Sequence, residues 1–89
     1  MIGFPNQMRS FDKDAGTFRF SGYDGVMEVR FVLDTPALDR LAGISPAPET
    51  DYPGAFDRCR QSIETAAVRA YNRNRKTLIR LTVADFART

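Results

Sequence analysis

Residues 23–33 read Tyr23-Asp24-Gly25-Val26-Met27-Glu28-Val29-Arg30-Phe31-Val32-Leu33, and this stretch decides the fold. Its Asp-Gly pair is typical of a tight turn between strands. After the turn, apolar residues alternate with charged ones, so that Met27, Val29, Phe31 and Leu33 share one side of an extended strand. This alternation predicts a strand with one buried face and one face turned to solvent.

A long amphipathic helix is predicted from Ala55 to Asn74, and it supplies the cover that the apolar strand face needs. Its apolar side is rich in alanine and comprises Phe56, Cys59, Ile63, Ala66, Ala67 and Ala70. Polar residues occupy the opposite side, as expected for a helix that buries one face. We therefore expect this helix to lie across the sheet.

Three further segments have the character of β-strands. Met8–Phe11 is predicted as a short edge strand, Thr17–Phe20 as the next strand, and Thr77–Val83 as the last. Short links that contain glycine join the first two of these to the strand of residues 26–33. Such links are typical of an antiparallel meander.

A short helix is expected to follow the central strand. Thr35 is a suitable N-cap, Pro36 suits the first helical position, and Gly43 can end the helix in a left-handed conformation. The segment Ile44–Pro53 contains three of the five prolines and has no periodicity. It is expected to be a surface linker.

These segments predict one α+β domain over residues 1–89, because a chain of 89 residues has room for one core only. The sheet is expected to be antiparallel with three to four strands, a meander plus the C-terminal strand, packed with one long amphipathic helix and one short helix. Its predicted core comprises Phe18, Phe20, Met27, Val29, Phe31, Leu33, Phe56, Ile63, Ile79 and Leu81.

A cytoplasmic protein without a membrane span is expected. No run approaches the roughly 18 apolar residues of a membrane span, and the first nine residues show no pattern of a secretory signal. The single Cys59 cannot form an internal disulfide and fits a reducing compartment.

The sequence offers little for catalysis. It contains no histidine, the commonest general base near neutral pH. Cys59 falls on the apolar side of the long helix, where an inert buried thiol is expected. The acidic run of residues 12–16 does not fit a calcium loop, because Gly16 and Thr17 occupy its fifth and sixth positions. We expect no cofactor and no metal, and an enzyme ranks third among the functional hypotheses.

A basic set lies near the end of the long helix and comprises Arg69, Arg73, Arg75 and Lys76. It contributes to an uneven charge, since residues 1–52 carry five Lys/Arg against eight Asp/Glu and the remainder eight against three. Such cations suit the phosphates of nucleic acid. The simpler interpretation is that they offset the helix dipole and need no partner, and the small net charge of +2 favours it.

Val68 and Tyr71 are the candidate apolar part of an interaction surface. Val68 lies away from the apolar stripe of the helix and Tyr71 on its shoulder, with charged residues beside both. This composition is typical of a small protein–protein contact. In the alternative interpretation, the short helix or the linker covers Val68.

These features favour a small non-catalytic interaction or accessory module. Its partner is unknown, with another protein or a second copy of the chain as the candidates and no membrane among them. The alternative is a weak nucleic-acid-binding domain that uses the basic end of the long helix.

Three blocks resemble a family when taken together. They are Gly22–Phe31, the helical run from Ala55-Phe56-Asp57 through Ile63 to Tyr71, and the closing Ala84-Asp85-Phe86. In order and spacing the chain is similar to the bacterial domain-of-unknown-function family 1488 over nearly its whole length. The resemblance implies a bacterial origin and a small α+β domain. It implies no activity and no functional residues.

Overall fold

The computed structural model describes residues 2–5, 8–43 and 51–86 of the chain. Within these ranges the elements follow the order β1 Ile2–Gly3, β2 Ser10–Asp12, β3 Thr17–Asp24, β4 Met27–Asp34, α1 Thr35–Ala42, α2 Tyr52–Arg58, α3 Arg60–Arg73, β5 Leu78–Leu81 and α4 Val83–Phe86. None of the helices in the described ranges is long and apolar enough to cross a membrane.

The β3–β4 hairpin is the centre of the sheet, as the sequence predicts. Asp24 lies opposite Met27, so the turn has two central residues, and Gly25 at the first of them has a φ of +64°. A glycine with positive φ there gives the strands the twist that a tight hairpin needs. In the resulting register Phe20 pairs with Phe31 on the buried face.

The α+β class is confirmed, but the sheet is mixed rather than wholly antiparallel. Its strand order is β1-β3-β4-β5, with β2 also paired to β3. The last strand, β5, lies parallel to β4. The chain leaves the end of β4 and returns through the intervening helices, and such a crossover brings the next strand back in the same direction.

The helix predicted from Ala55 to Asn74 is not continuous, because Cys59 divides it into α2 and the long helix α3. The backbone N–H of Cys59 donates to the carbonyls of Ala55 and Phe56, which closes the last turn of α2. Pro53 stands in the first turn of α2, where a proline costs no hydrogen bond. Part of the predicted linker is therefore helical, and residues 44–50 of it lie outside the described residues.

The short helix is confirmed as α1, with small differences at its start. Its N-cap is Asp34 rather than Thr35, Pro36 stands in its first turn, and Gly43 ends it with a φ of +69°. The carboxylate of Asp34 does not cap the helix but pairs with Arg80 of β5 at 2.8 Å.

The core lies between one face of the sheet and the helices. Every predicted core residue except Met27 is buried, joined by others that include Leu38, Ala67 and Tyr71. Met27 stands at the hairpin turn and is 44% exposed. The predicted strand Thr77–Val83 is also too long, since Val83 begins α4.

Candidate functional site

The helices cover one face of the sheet, and among the described residues no helix or strand covers the other. On the covered face, Phe18 and Phe56 bring their ring centroids to 4.9 Å. The alternation of the strands sends the remaining side chains to the opposite side. We call this side the open face, and it comprises Arg19, Ser21, Tyr23, Glu28, Arg30, Val32, Leu78 and Arg80.

The open face contains a shallow groove with a volume of about 600 Å³. Most of the open face lines it, together with Met8, Arg9 and Ser10 at one side. Two of its side chains are large, apolar and exposed, since 75% of Met8 and 62% of Leu78 is accessible to solvent. Apolar groups in a concave and accessible position are the usual centre of a binding surface.

The register of the strands sets the pattern of the open face. Ser21, Arg30 and Leu78 form one row across β3, β4 and β5. Arg19 and Arg80 flank Val32 in the next row. The arginines therefore surround an apolar centre instead of forming a continuous basic stripe.

Each arginine of the open face has an acidic neighbour. Arg19 pairs with Asp12 at 3.0 Å, and Arg80 pairs with Asp34 at 2.8 Å. Ion pairs between exposed side chains are weak, so these arginines can exchange partners at low cost.

Arg30 is the most loosely held of the three. It lies 3.7 Å from Glu28, and 73% of its side chain is exposed. Glu28 also accepts a hydrogen bond of 2.9 Å from the hydroxyl of Ser21. The planar guanidinium of Arg30 is thus available to an incoming carboxylate.

The basic set predicted from the sequence is exposed but partly engaged. Arg73 pairs with Asp85 at 2.9 Å, and the guanidinium of Arg75 lies 5.5 Å from the centre of the Tyr71 ring. Arg69 and Lys76 have no ion pair within the described part of the chain. Arg69 lines a second cleft, of about 380 Å³, between α1, α3 and α4.

The predicted patch of Val68 and Tyr71 is not formed. Only 2% of Tyr71 is exposed, so its placement on the surface is wrong. Val68 is half-buried and packs against the core, so that neither residue offers a free apolar surface. Tyr71 borders the apolar side of α3 and packs under the β3–β4 hairpin. A helical wheel does not show the hairpin and so does not predict this burial.

The hydroxyl of Tyr71 donates a hydrogen bond of 2.6 Å to Asp24 at the end of β3. This bond lowers the pKa of Asp24, because it stabilises the carboxylate. It raises the pKa of Tyr71 for the complementary reason. The pair is a polar connection between α3 and the hairpin.

Cys59 is half-buried at the junction of α2 and α3. Burial raises the pKa of its thiol, which disfavours the reactive thiolate at neutral pH. In the ranges that the structure describes, no group of three or more Cys, Asp or Glu side chains is placed to hold a metal ion.

Sequence reasoning missed the open face although it predicted its parts. The alternation that buries Ile79 and Leu81 implies that Leu78 and Arg80 point outward, as Glu28 and Arg30 do in β4, and all four are exposed. Their combination depends on the β4–β5 register, which puts Leu78 beside Arg30. The sequence feature that indicates the open face is Leu78, an apolar residue on the outward side of a predicted strand.

Comparisons with known proteins identify a family and a fold. The family model described as "Protein of unknown function (DUF1488)" matches residues 2–82. The crystal structure of a protein of unknown function from the same family, from Shewanella loihica PV-4, has a TM-score of 0.75 with 18% sequence identity, over 90% of each chain. At that identity the likeness shows the fold alone. No curated protein matches the sequence.

Proposed function

Because this chain belongs to the DUF1488 family of proteins of unknown function, we propose its function from its own surface. It is a small, non-catalytic interaction module of the bacterial cytoplasm, and its open face binds a protein partner. The partner presents apolar side chains together with a carboxylate. The observation that carries this proposal is the exposed Leu78 beside the loosely held Arg30 in the groove.

The composition of the groove supports a protein partner. The exposed side chains of Leu78 and Met8 lose water when an apolar partner covers them, which is the main driving force of association. Arg30 adds a planar pair of donors that a partner's Asp or Glu can accept. Arginine is enriched among the residues that dominate binding energy at interfaces, and methionine is enriched in interfaces generally.

A non-catalytic role is supported by the side chains that the chain contains. The sequence has no histidine, and the pKa of its single thiol is shifted away from reactivity. Histidine is the commonest general base near neutral pH, and a thiol nucleophile reacts as its thiolate, so both of these usual groups are disfavoured here.

Nucleic-acid binding by the basic set remains the second candidate. The exposed Arg69 and Lys76 favour it, whereas Arg73 and Arg75 already have intramolecular contacts. On the open face, a carboxylate stands beside each arginine, which opposes the many simultaneous phosphate contacts of a nucleic acid more than a single carboxylate contact. The geometry therefore supports a protein partner better than a nucleic acid.

The experiment is a selection from a phage-displayed library of random peptides on the immobilised wild-type protein. Enriched peptides are expected to combine apolar residues with Asp or Glu. Arg30→Gln should weaken the binding of such a synthetic peptide by about tenfold, the effect of losing one charge-assisted contact. Arg69→Gln is the matched control, because it makes the same change at an exposed position of α3 outside the open face. It should leave peptide binding unaltered.

Two outcomes would overturn the proposal. One is that the selected peptides bind wild type and Arg30→Gln equally well, and the other is that no acidic and apolar peptides are enriched. A titration with generic RNA and DNA at two salt concentrations tests the second candidate. Affinity that falls steeply with salt and depends on Arg69 would favour nucleic-acid binding instead.

A further inference from the structure

The outer edge of β5 is a second candidate surface, and it adjoins the groove at Leu78. β5 stands at the end of the strand order and pairs with β4 alone within the described part of the chain, whereas β1 and β2 both pair with β3. An edge strand presents unpaired backbone groups that can pair with another strand.

The backbone direction of β5 follows from one hydrogen bond. The N–H of Arg30 donates to the carbonyl of Thr77 at 2.8 Å. In a parallel pair, alternate residues direct both backbone groups toward the neighbouring strand. Thr77, Ile79 and Leu81 therefore face β4, and Leu78 and Arg80 direct their N–H and C=O groups outward.

We propose that this edge pairs with the β5 of a second copy of the chain, in an antiparallel and twofold-symmetric arrangement. Residues with outward backbone groups must lie opposite each other in such a pair. Leu78 and Arg80 are the two residues of β5 with outward backbone groups, so the register that pairs both of them places Leu78 opposite Arg80 of the second copy. Ile79 then lies opposite its own equivalent on the axis.

Charge selects this register over its neighbours. A shift in one direction places Arg80 opposite Arg80, and a shift in the other places it opposite Lys76. Like charges directly opposite are destabilising, whereas Arg80 opposite Leu78 brings no like charge.

The pairing extends the fold without a conflict between its faces. Leu78 and Arg80 lie on the open face, and Ile79 points to the covered face in both copies. The two sheets thus become one, and the two open faces become continuous. A binding surface on the dimer would be bivalent for the proposed partner, although the dimer does not depend on that partner.

The expected dimer is weak, because a four-residue strand buries less than the roughly 1,600 Å² of a standard interface. Its mass by sedimentation should therefore rise with protein concentration. Leu78→Lys puts a cation opposite Arg80 and should weaken dimerisation at least about tenfold. Val26→Lys is the matched control, since Val26 is fully exposed at the hairpin turn, away from β5.

Cross-linking tests the register itself in a Cys59→Ser background. Opposed residues have Cα atoms about 5.5 Å apart, within the range of a disulfide. A mixture of Leu78→Cys and Arg80→Cys proteins should therefore form mixed dimers several-fold faster than either protein forms dimers alone. Faster cross-linking of Leu78→Cys with itself would overturn the register.

Amide hydrogen exchange of the wild type gives a test that needs no variant. Protection of the Leu78 and Arg80 amides should rise with protein concentration, while that of the Val26 amide should not. A monomeric mass at all concentrations, with exchange of Leu78 and Arg80 unchanged, would overturn the dimer. Peptide binding to the open face would still be expected in that case, so the two proposals fail separately.

Discussion

Tyr71 is a residue whose ring and hydroxyl have different roles. The ring is buried in the core, and the hydroxyl binds Asp24 across the boundary between α3 and the hairpin. The guanidinium of Arg75 lies over the same ring. One side chain thus fixes the end of the long hairpin against the helix behind it.

We predict that Tyr71→Phe lowers the melting temperature by a few degrees near neutral pH. The folded state lowers the pKa of Asp24 below its usual 3.8, so the stabilisation by this carboxylate exists above that value and is lost as pH falls through the lower pKa. The folded state raises the pKa of Tyr71 above 10.0, so its contribution is lost as pH rises through the higher pKa.

The measurement is the melting temperature of both proteins across pH. The difference between them should be largest at intermediate pH and narrow at both extremes. Tyr23→Phe removes the same atom from a half-buried position on the open face, and it serves as the control. A difference that stays constant across pH would contradict the assigned role of the hydrogen bond.

At the scale of elements, local patterns predicted most strands but not the break between α2 and α3. The alternation after Asp24-Gly25 gave the correct strand and its buried face. The break at Cys59 has no glycine or proline to announce it, and both helices bury their apolar sides against the same core. Pro53 was assigned to the predicted linker although it lies in α2. Proline is common both in linkers and in the first turn of a helix, so its presence does not distinguish the two.

The attachment of β1 to β3 depends on Gly22, a buried residue in the middle of a strand. A methyl group there would lie 2.8 Å from the ring of Phe4 and 3.0 Å from the carbonyl oxygen of Gly3. Phe4 in turn packs 6.1 Å from Phe20 between ring centroids. Only glycine lets the two strands approach this closely.

We therefore predict that Gly22→Ala destabilises the protein by about 1–3 kcal/mol, the usual cost of overpacking. Urea denaturation measures this change. Gly3→Ala is the matched control, because a methyl group at Gly3 meets no atom within 4 Å. Equal urea midpoints for Gly22→Ala and Gly3→Ala would contradict this prediction, because they would show that β1 accommodates the added methyl group without a loss of stability.

For the whole molecule, the core is centred on Phe31. This residue is fully buried in β4 and stacks on Phe20 with ring centroids 5.2 Å apart. The sequence predicted this core because burial follows directly from strand and helix periodicity. It did not predict the direction of β5 or the open face, since both depend on how segments distant in the chain come together.

We predict that Phe31→Ala costs about 3–5 kcal/mol, a large share of the roughly 5–15 kcal/mol that stabilises a typical domain. Circular dichroism on heating should show a strongly lowered or absent transition. Phe86→Ala is the control, because Phe86 is half-buried in α4 at the edge of the core. Its variant should melt much closer to the wild type than Phe31→Ala does.

The parallel contact between β4 and β5 has a consequence for the order of synthesis. The β3–β4 hairpin joins neighbouring residues, whereas Leu33 must wait for Leu81, 48 positions later, to complete the sheet. A hairpin forms within about 1–10 µs, but a ribosome needs roughly 2–10 s to add that many residues. The phenylalanine side chains of the nascent hairpin are therefore exposed for seconds before α3 and β5 are synthesised and cover them. A chaperone that binds exposed apolar side chains would act in this interval.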